Sequence, residues 1–260
     1  MSHAGGSRYG GNTSCMIVES GGCIVIIDAG SGIMMLEKEL ITTNQTRSAC
    51  NVLLSHLHMD HITGFGTFSQ IWKKDSAIKV FTCPRDDRPL KEQVFGVFNP
   101  PHWPSSLVKA SGAQCIPVEA GVPFAIEHLI VTPFPANHPD TTLSFHISDG
   151  ERVFVHLLDS ETSNMKPDLH DELTRLCRGA DLVVFDASYS SEDYEKYIGW
   201  GHSTVEQGVK LADECKPKRM LFSHFGQQYS DEQLDSWTRF FGDGDSTEFI
   251  MAKDGLELTL

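Results

Sequence analysis

Four side chains that can bind metal ions lie within six residues, His56-x-His58-x-Asp60-His61, inside the segment LLSHLHMDHITGFGTF. Alternate residues of an extended backbone point to the same side, so His56 and His58 can converge on one metal ion. A turn after them would allow Asp60 and His61 to reach a second ion. Zinc accepts histidine nitrogen and carboxylate oxygen at about 2.0 to 2.2 Å, and manganese or iron also binds such ligands. The segment therefore predicts a metal site.

Two metal ions need more ligands than these four, and three further candidates lie at the ends of predicted strands. His138 follows the strand-like segment 129–134, Asp159 ends VFVHLLDS, and His224 ends MLFSHF. Each of them alone could be a structural polar residue at a strand end. Together with the first motif they predict a site with two ions. The predicted assignment is His56, His58 and His138 on one ion, Asp60, His61 and His224 on the other, and Asp159 as the bridge.

The remaining histidines are predicted to have other roles. His146 and His156 fall inside predicted strands, where a structural role is expected. Surface positions are predicted for His128 and His170, and His3 belongs to the N-terminal tail. His202, in GWGHST, lies directly before a helix that Ser203 or Thr204 would cap. It is therefore close in sequence to the last ligand-bearing strand.

The elements that must position these residues alternate between strand and helix. The hydrophobic pattern predicts strands at 14–19, 23–28, 49–55, 114–118, 129–134, 142–148, 152–158, 182–185 and 219–222, followed by two closing strands. Helices are predicted at 32–41, in part of 62–72, and at 166–177, 204–215 and 231–241. VLLSHLH at 52–58 and MLFSHFG at 220–226 share a pattern of apolar strand, serine and histidine, which suggests two related halves. We predict two mixed sheets packed together with helices outside.

Residues 84–112 interrupt this alternation, with PRDDRPLKEQ followed by FNPPHWPSS. The segment is predicted to be a long excursion around a short helix, and long loops in compact domains are usually functional or disordered. Its aromatic content favours an ordered lid. Phe98, His102 and Trp103 are candidate substrate contacts, and plain packing is the alternative.

Composition limits the class of protein. The formal net charge of −14 argues against an extended nucleic-acid surface, whereas a small anionic substrate is compatible with it if metal ions supply positive charge. Seven scattered cysteines without a C-x-x-C pair predict reduced thiols and no sulfur-bound zinc. No apolar run approaches the roughly 18 residues of a membrane span, and the N-terminus does not resemble a signal peptide. We expect one cytoplasmic domain spanning 1–260, without a membrane partner, and leave a homodimer open.

The sequence resembles the metallo-β-lactamase superfamily of dinuclear hydrolases. The resemblance rests on the first motif together with His138, Asp159 and His224 in the expected order. Within that superfamily, GGNTSC at 10–15, DAGSG at 28–32 and GHST at 201–204 are most similar to the branch that holds RNase Z and small-molecule phosphodiesterases. The resemblance implies an α/β fold, the four-layer αβ/βα sandwich, with the metals in a cleft at one edge of its two sheets.

This resemblance also implies a reaction. It is hydrolysis of a small phosphodiester or cyclic nucleotide with two divalent ions, zinc before manganese or iron. His202 would assist the leaving group, held by Asp186, and Asp28 would support a metal ligand; the predicted catalytic residues are His202, Asp186 and Asp60. The alternatives are a carbon-ester, lactone or lactam hydrolase on the same metals, an RNase Z-like nuclease, or a ligand sensor without activity, which the complete ligand set disfavours.

Overall fold

The computed structural model describes residues 8–42, 50–242 and 246–260. These residues form two compact units, one within 12–120 and one within 121–260 together with residues 8–11. The predictions for His3 and for the start of the strand at 49–55 fall outside the described residues. Among the helices of the described residues, none has the length and apolar character needed to cross a membrane.

The 12–120 unit is built on a five-stranded mixed sheet. Its strands are β1 Met16–Ser20, β2 Cys23–Ile27, β3 Asn51–Leu53, β4 Lys79–Thr82 and β5 Gln114–Pro117, in that spatial order. The first two strands pair antiparallel and the others parallel. Gly21 and Gly22 turn the chain between β1 and β2 with positive φ, which glycine adopts without steric cost. All five residues of β2 are buried, as expected of an apolar strand covered on both faces.

Short helices surround this sheet. They are α1 Ile33–Thr42, α2 Met59–Ile62, α3 Leu90–Phe95 and α4 Leu107–Ala110, with 3₁₀ turns at Thr63–Gly66 and Ser69–Trp72. The predicted excursion at 84–112 therefore contains two helices instead of one. Phe95, Phe98 and Leu107 lie in the hydrophobic core of the unit. The Phe95 ring meets Phe65 edge to face, with 5.4 Å between ring centroids.

The 121–260 unit is built on a seven-stranded mixed sheet. The strands are β6 Phe124–Ile126, β7 Leu129–Pro135, β8 Leu143–Ser148, β9 Val153–Leu157, β10 Leu182–Asp186, β11 Arg219–Ser223 and β12 Glu248–Met251. Their spatial order runs from β12 through β11, β10, β9, β8 and β7 to β6. The half from β9 to β12 is parallel, and the half from β6 to β9 is antiparallel. The prediction of two mixed sheets flanked by helices is confirmed.

Three of the four helices described in this unit begin at a serine or threonine whose side chain caps the helix. The four helices are α5 Pro167–Cys177, α6 Ser191–Tyr194, α7 Val205–Cys215 and α8 Asp231–Trp237, and a 3₁₀ turn follows at Thr238–Phe240. Thr204 and Gln207 form a capping box at α7, which fixes where the helix starts after His202. The helix ends at Cys215, and its C-cap residue Lys216 has a left-handed backbone.

The prediction of secondary structure was wrong or incomplete at several places. The short strands β4 and β6 and the helix α6 were not predicted, and the described residues contain one closing strand, β12, instead of two. The helix predicted at 231–241 ends its α-helical part at Trp237. Strands of three or four residues carry little periodicity, so pairing with neighbouring strands decides whether they form. The prediction that 1–260 is one domain stays a prediction.

Helix α7 lies against the sheet through a glycine. A Cβ atom added to Gly208 would lie 2.4 Å from the Phe222 ring and 2.7 Å from the Phe185 ring, both of which are fully buried. We expect Gly208→Val to destabilise the protein by about 1 to 3 kcal/mol, because extra methyl groups overpack the core. Urea unfolding measures this, with the exposed Lys210→Ala on the same helix as the control. Equal stability of the two variants would contradict the close packing.

Candidate metal centre

The predicted ligands of the 12–120 unit are brought together by a strand end and a short helix. The chain leaves β3 at Leu53 and reaches His58, the N-cap residue of α2, whose backbone is extended; Asp60 and His61 then lie on that helix. The ring centroids of His56 and His61 are 4.2 Å apart, and those of His56 and His58 are 4.4 Å apart. His61 Nε2 lies 3.3 Å from Asp60 Oδ2. All four side chains of the motif therefore form one cluster.

A buried aspartate orients this cluster. Asp28 follows β2 in a left-handed conformation and is fully buried. Its Oδ2 lies 2.7 Å from His61 Nδ1, and the backbone N–H and the hydroxyl of Ser55 donate to its Oδ1 at 2.8 Å each. A histidine that donates Nδ1–H to a carboxylate keeps the lone pair of Nε2 for a metal ion. This is the contact that the predicted supporting role of Asp28 requires.

The 121–260 unit assembles a second cluster from the ends of its parallel strands. Asp159 follows β9, Asp186 ends β10, His224 follows β11, and His202 precedes α7. Their ligand atoms all lie within 4.8 Å of one another. Asp159 and His224 both have positive φ, 51° and 64°. Non-glycine residues adopt this conformation uncommonly, and it is enriched in Asp and His where the chain must turn sharply.

His138 belongs to the same unit, in the turn after β7. Its Nε2 lies 3.9 Å from Asp159 Oδ1. Asp140 N and the Thr142 hydroxyl oxygen lie 3.3 and 3.1 Å from its Nδ1. The segment that follows this histidine, from Pro139 to Thr142, therefore contacts the imidazole ring at Nδ1, the nitrogen opposite the one near Asp159.

Asp186 is the centre of a hydrogen-bond network. It is fully buried, and its carboxylate accepts the backbone N–H groups of Asp159, Ser188 and Ser203. Its Oδ2 lies 2.9 Å from His202 Nδ1. Burial by itself would raise the pKa of Asp186, but the charge and hydrogen bond of His202 outweigh it, so the pKa lies below its ordinary value. The carboxylate is therefore ionised at neutral pH.

The pKa of His202 shifts in the opposite direction to that of Asp186. Its burial would lower the pKa of the imidazole, but the charge of Asp186 and the hydrogen bond to it prevail and raise that pKa above its ordinary value. The His202 ring stacks on His224, with centroids 5.3 Å apart and 20° between the planes. It also meets Tyr189 edge to face at 5.7 Å. These contacts thus hold the imidazole ring in one orientation, and Asp186 stabilises its protonated form relative to a free imidazole.

The structure places the predicted substrate contacts in the 12–120 unit. Phe98 is only 2% exposed and belongs to the hydrophobic core. Trp103 packs edge to face on Phe98 and stacks on Trp72, and His102 is exposed. Packing, the alternative weighed for this segment, describes Phe98 and Trp103. A substrate role for Phe98, His102 and Trp103 stays a prediction.

Two serines were missed by the sequence analysis. The Ser55 hydroxyl lies 3.0 Å from His56 Nδ1 and also donates to Asp28. The Ser188 hydroxyl lies 3.0 Å from His224 Nδ1 and 3.3 Å from His202 Nδ1. Both serines follow a buried strand, as the ligands do. Their position after an apolar run, one or two residues from another site residue, was the available signal.

A family model described as a β-lactamase superfamily domain matches residues 24–225, which is most of the chain. The chain belongs to the metallo-β-lactamase superfamily. The predicted family is thereby confirmed. Proteins of this superfamily bind divalent metal ions, usually two, and the cluster of Asp159, Asp186, His202 and His224 has the donor chemistry for such an ion.

Individual relatives support the predicted branch of the superfamily. Ribonuclease Z from Bradyrhizobium sp. (strain ORS 278) is 24% identical in an alignment of 267 positions, gaps included, which covers 84% of this chain and 85% of that protein. Two solved structures share the fold. Unliganded yeast PDE1 has a TM-score of 0.71 at 13% identity, covering 98% of this chain and 96% of its own. The metallo-β-lactamase fold protein YhfI from Bacillus subtilis has a TM-score of 0.69 at 18% identity, and the match covers 98% of this chain and 94% of that protein.

Proposed function

We propose that this protein is a metal-dependent phosphodiesterase that acts on a small phosphodiester or a cyclic nucleotide. The observation that carries the proposal is the hydrogen bond of 2.9 Å between His202 Nδ1 and the buried carboxylate of Asp186, inside a cluster of metal-ligand side chains. A protonated imidazole at that position can donate its proton to the oxygen that departs from phosphorus, which then leaves as an alcohol.

The proposal includes two divalent ions, with zinc preferred and manganese or iron as alternatives. The proposed ligands are His56, His58, Asp60, His61, His138, Asp159 and His224. Within each unit the donors are imidazole nitrogens and carboxylate oxygens, which suit these ions, and family membership supports a pair of them. When bound, the ions would supply the positive charge that makes water a nucleophile near neutral pH and stabilises phosphoryl oxygens.

The chain's own groups then have separate tasks. Asp28 and Ser188 contact Nδ1 of His61 and His224, which favours the tautomers that carry the lone pair on Nε2. Asp186 holds the His202 ring, and His202 protonates the departing oxygen. Asp60, the third predicted catalytic residue, is only part-buried, and its carboxylate lies beside His61.

An RNase Z-like nuclease is the second candidate. The alignment with the Bradyrhizobium ribonuclease Z along 84% of this chain favours it. The net charge of −14 weighs against it, because binding of a polynucleotide relies on clustered basic side chains. The small anionic substrate, the possible homodimer and the cytoplasmic location predicted from the sequence are retained as parts of the proposal.

The test is turnover of bis(p-nitrophenyl) phosphate by protein reconstituted separately with zinc and with manganese. We expect turnover that metal-free protein lacks, together with hydrolysis of at least one 2′,3′- or 3′,5′-cyclic nucleotide. p-Nitrophenyl acetate, nitrocefin and a precursor tRNA serve as comparison substrates. Silence on every phosphodiester while two metals are bound, with turnover of the acetate or nitrocefin, would replace the proposal with a carbon-ester or lactam hydrolase. Cleavage of the tRNA alone would favour the nuclease.

A further inference from the structure

Glu161 is a buried carboxylate that the proposed reaction does not use. It lies two residues after Asp159 and is 1% exposed. Its Oε2 accepts the backbone N–H of Gly199 at 2.8 Å and that of Gly201 at 3.2 Å. Its Oε1 accepts the Tyr194 hydroxyl at 2.6 Å and lies 3.0 Å from Gly199 N. One side chain thus binds several points of the segment that leads to His202.

The same residue is tied to the turn that carries His138. The backbone N–H of Glu161 donates to the Asn137 carbonyl at 3.0 Å, and the Asn137 amide donates to the Glu161 carbonyl at 2.7 Å. A ligand-bearing turn and the segment before His202 therefore share one anchor.

Gly201 explains why this anchor has consequences for the site. Its φ is +87°, and a Cβ atom there would lie 2.2 Å from Cδ2 of His138. The backbone directly before His202 therefore presses on the His138 ring. Gly199 also has a positive φ, of 86°. Both backbones adopt conformations that favour glycine, and in these conformations their N–H groups donate to Glu161.

Ring packing contributes at Tyr197, which stacks on Tyr189 with ring centroids 4.3 Å apart and meets Trp200 edge to face. A cavity of about 160 Å³ lies beside the segment, lined by Asn137, His138, Pro139, Glu161, Asn164, Gly199 and Gly201. Ile198 and Trp200, the large apolar side chains between and beside the glycines, are 54% and 59% exposed. The hydrogen bonds to Glu161 act directly on the backbone of Gly199 and Gly201, and through Gly201 they restrain the backbone of His202.

We propose that Glu161 is a positioning residue for His202: by holding the 194–201 segment it places the imidazole that protonates the leaving group. The inference rests on the proposed phosphodiesterase function. A carboxylate suits the task because it accepts hydrogen bonds on both oxygens and donates none. Glu161→Gln would replace one acceptor by an NH₂ group that faces a backbone N–H or the Tyr194 hydroxyl. The segment then shifts, and His202 with it.

The test compares leaving groups. The substrates are bis-aryl phosphates whose leaving groups range from p-nitrophenolate to phenolate. The departure of phenolate, the more basic leaving group, depends more on a proton donor. We expect Glu161→Gln to lower kcat on diphenyl phosphate by roughly 10- to 100-fold, the scale of a misplaced catalytic group, and to have a much smaller effect on bis(p-nitrophenyl) phosphate. Metal content should be unchanged. Glu195→Gln, an exposed carboxylate on the same segment, is the matched control and should match wild type on both.

A double-mutant cycle separates positioning from a merely structural role. If Glu161 acts through His202, adding Glu161→Gln to a His202→Ala protein costs no further activity. Losses that multiply, or an equal loss on every leaving group, would overturn the inference. Tyr194→Phe removes one donor and leaves the carboxylate. It should give a weaker loss with the same dependence on leaving group, which keeps the test informative if Glu161→Gln folds poorly.

A structural readout keeps this inference distinguishable from the proposed function. In a crystal structure of Glu161→Gln we expect the distance from His202 Nδ1 to Asp186 Oδ2 to exceed the 2.9 Å of the native protein. An unmoved His202 would overturn the positioning role even in an active enzyme. A moved His202 in a protein whose wild type hydrolyses no phosphodiester would leave the placement correct and refute the phosphodiesterase reaction.

Discussion

Replacing His202 with alanine is expected to lower kcat on diphenyl phosphate by about 10²- to 10⁴-fold, the usual contribution of a general acid or base. The reason is the geometry of the pair: Asp186 is fully buried, lies 2.9 Å from His202 Nδ1 and raises the pKa of the imidazole. The protonated form is therefore more populated than in a free imidazole, and the hydrogen bond to Asp186 holds the ring in place before the reaction. Without the imidazole, water must protonate the departing phenolate oxygen.

Metal analysis decides how that loss is interpreted. His202 Nδ1 lies 3.8 Å from Asp159 Oδ1, so the alternative role for this histidine is that of a ligand. We expect the metal content of His202→Ala to equal that of wild type. A protein that loses an ion along with its activity would instead assign His202 to the metal site. His128→Ala, an exposed histidine in the turn between β6 and β7, is the control and should leave both quantities unchanged.

The second large effect is expected at Asp28. Asp28→Asn should weaken metal binding by about 10- to 100-fold, as replacement of a group that orients a ligand usually does. Asparagine tolerates the left-handed backbone of this position, so the change tests chemistry without a steric penalty. Its amide would donate to His61 Nδ1, which favours the tautomer that carries its proton on Nε2. That nitrogen then has no lone pair to offer.

This prediction is checked by metal retention under competition with a chelator, followed by mass spectrometric metal analysis. Asp87→Asn, at an exposed position of the same unit, removes an equal charge and should behave as wild type. Unaltered retention by Asp28→Asn would mean that His61 does not depend on Asp28 for its tautomer. Thermal unfolding of both variants distinguishes lost metal affinity from lost fold, because the amide can still accept from Ser55.

Much of the fold was predictable from local pattern. The apolar runs of β2, β10 and β11 and the capped helix α7 each carry their signal within a dozen residues, and each lies close to its predicted place. The short strands β4 and β6 lack such a signal. They form because neighbouring strands offer hydrogen-bond partners, which belongs to the assembled sheet and not to their own sequence.

The excursion at 84–112 illustrates the same limit. Its aromatic residues suggested order, and the segment is ordered, but the sequence left substrate contact and packing equally open for Phe98. Burial in the core of the 12–120 unit depends on residues as distant in sequence as Ile24 and Ile26, which belong to the same core. Residue type alone does not distinguish a ring that faces a core from one that faces a cleft.

The sequence by itself determined the family and the candidate ligands, because a motif within six residues and histidines at strand ends are local features. Through resemblance it also singled out Asp186 and His202 as candidates. Only the tertiary structure decided which hydrogen bonds hold those side chains. Ser55 bonds to Asp28, Ser188 bonds to His224, and Glu161 accepts the backbone N–H groups of Gly199 and Gly201. Each of these contacts joins residues 27 to 40 positions apart. The spacing of such partners depends on how the chain folds back, which no local pattern specifies.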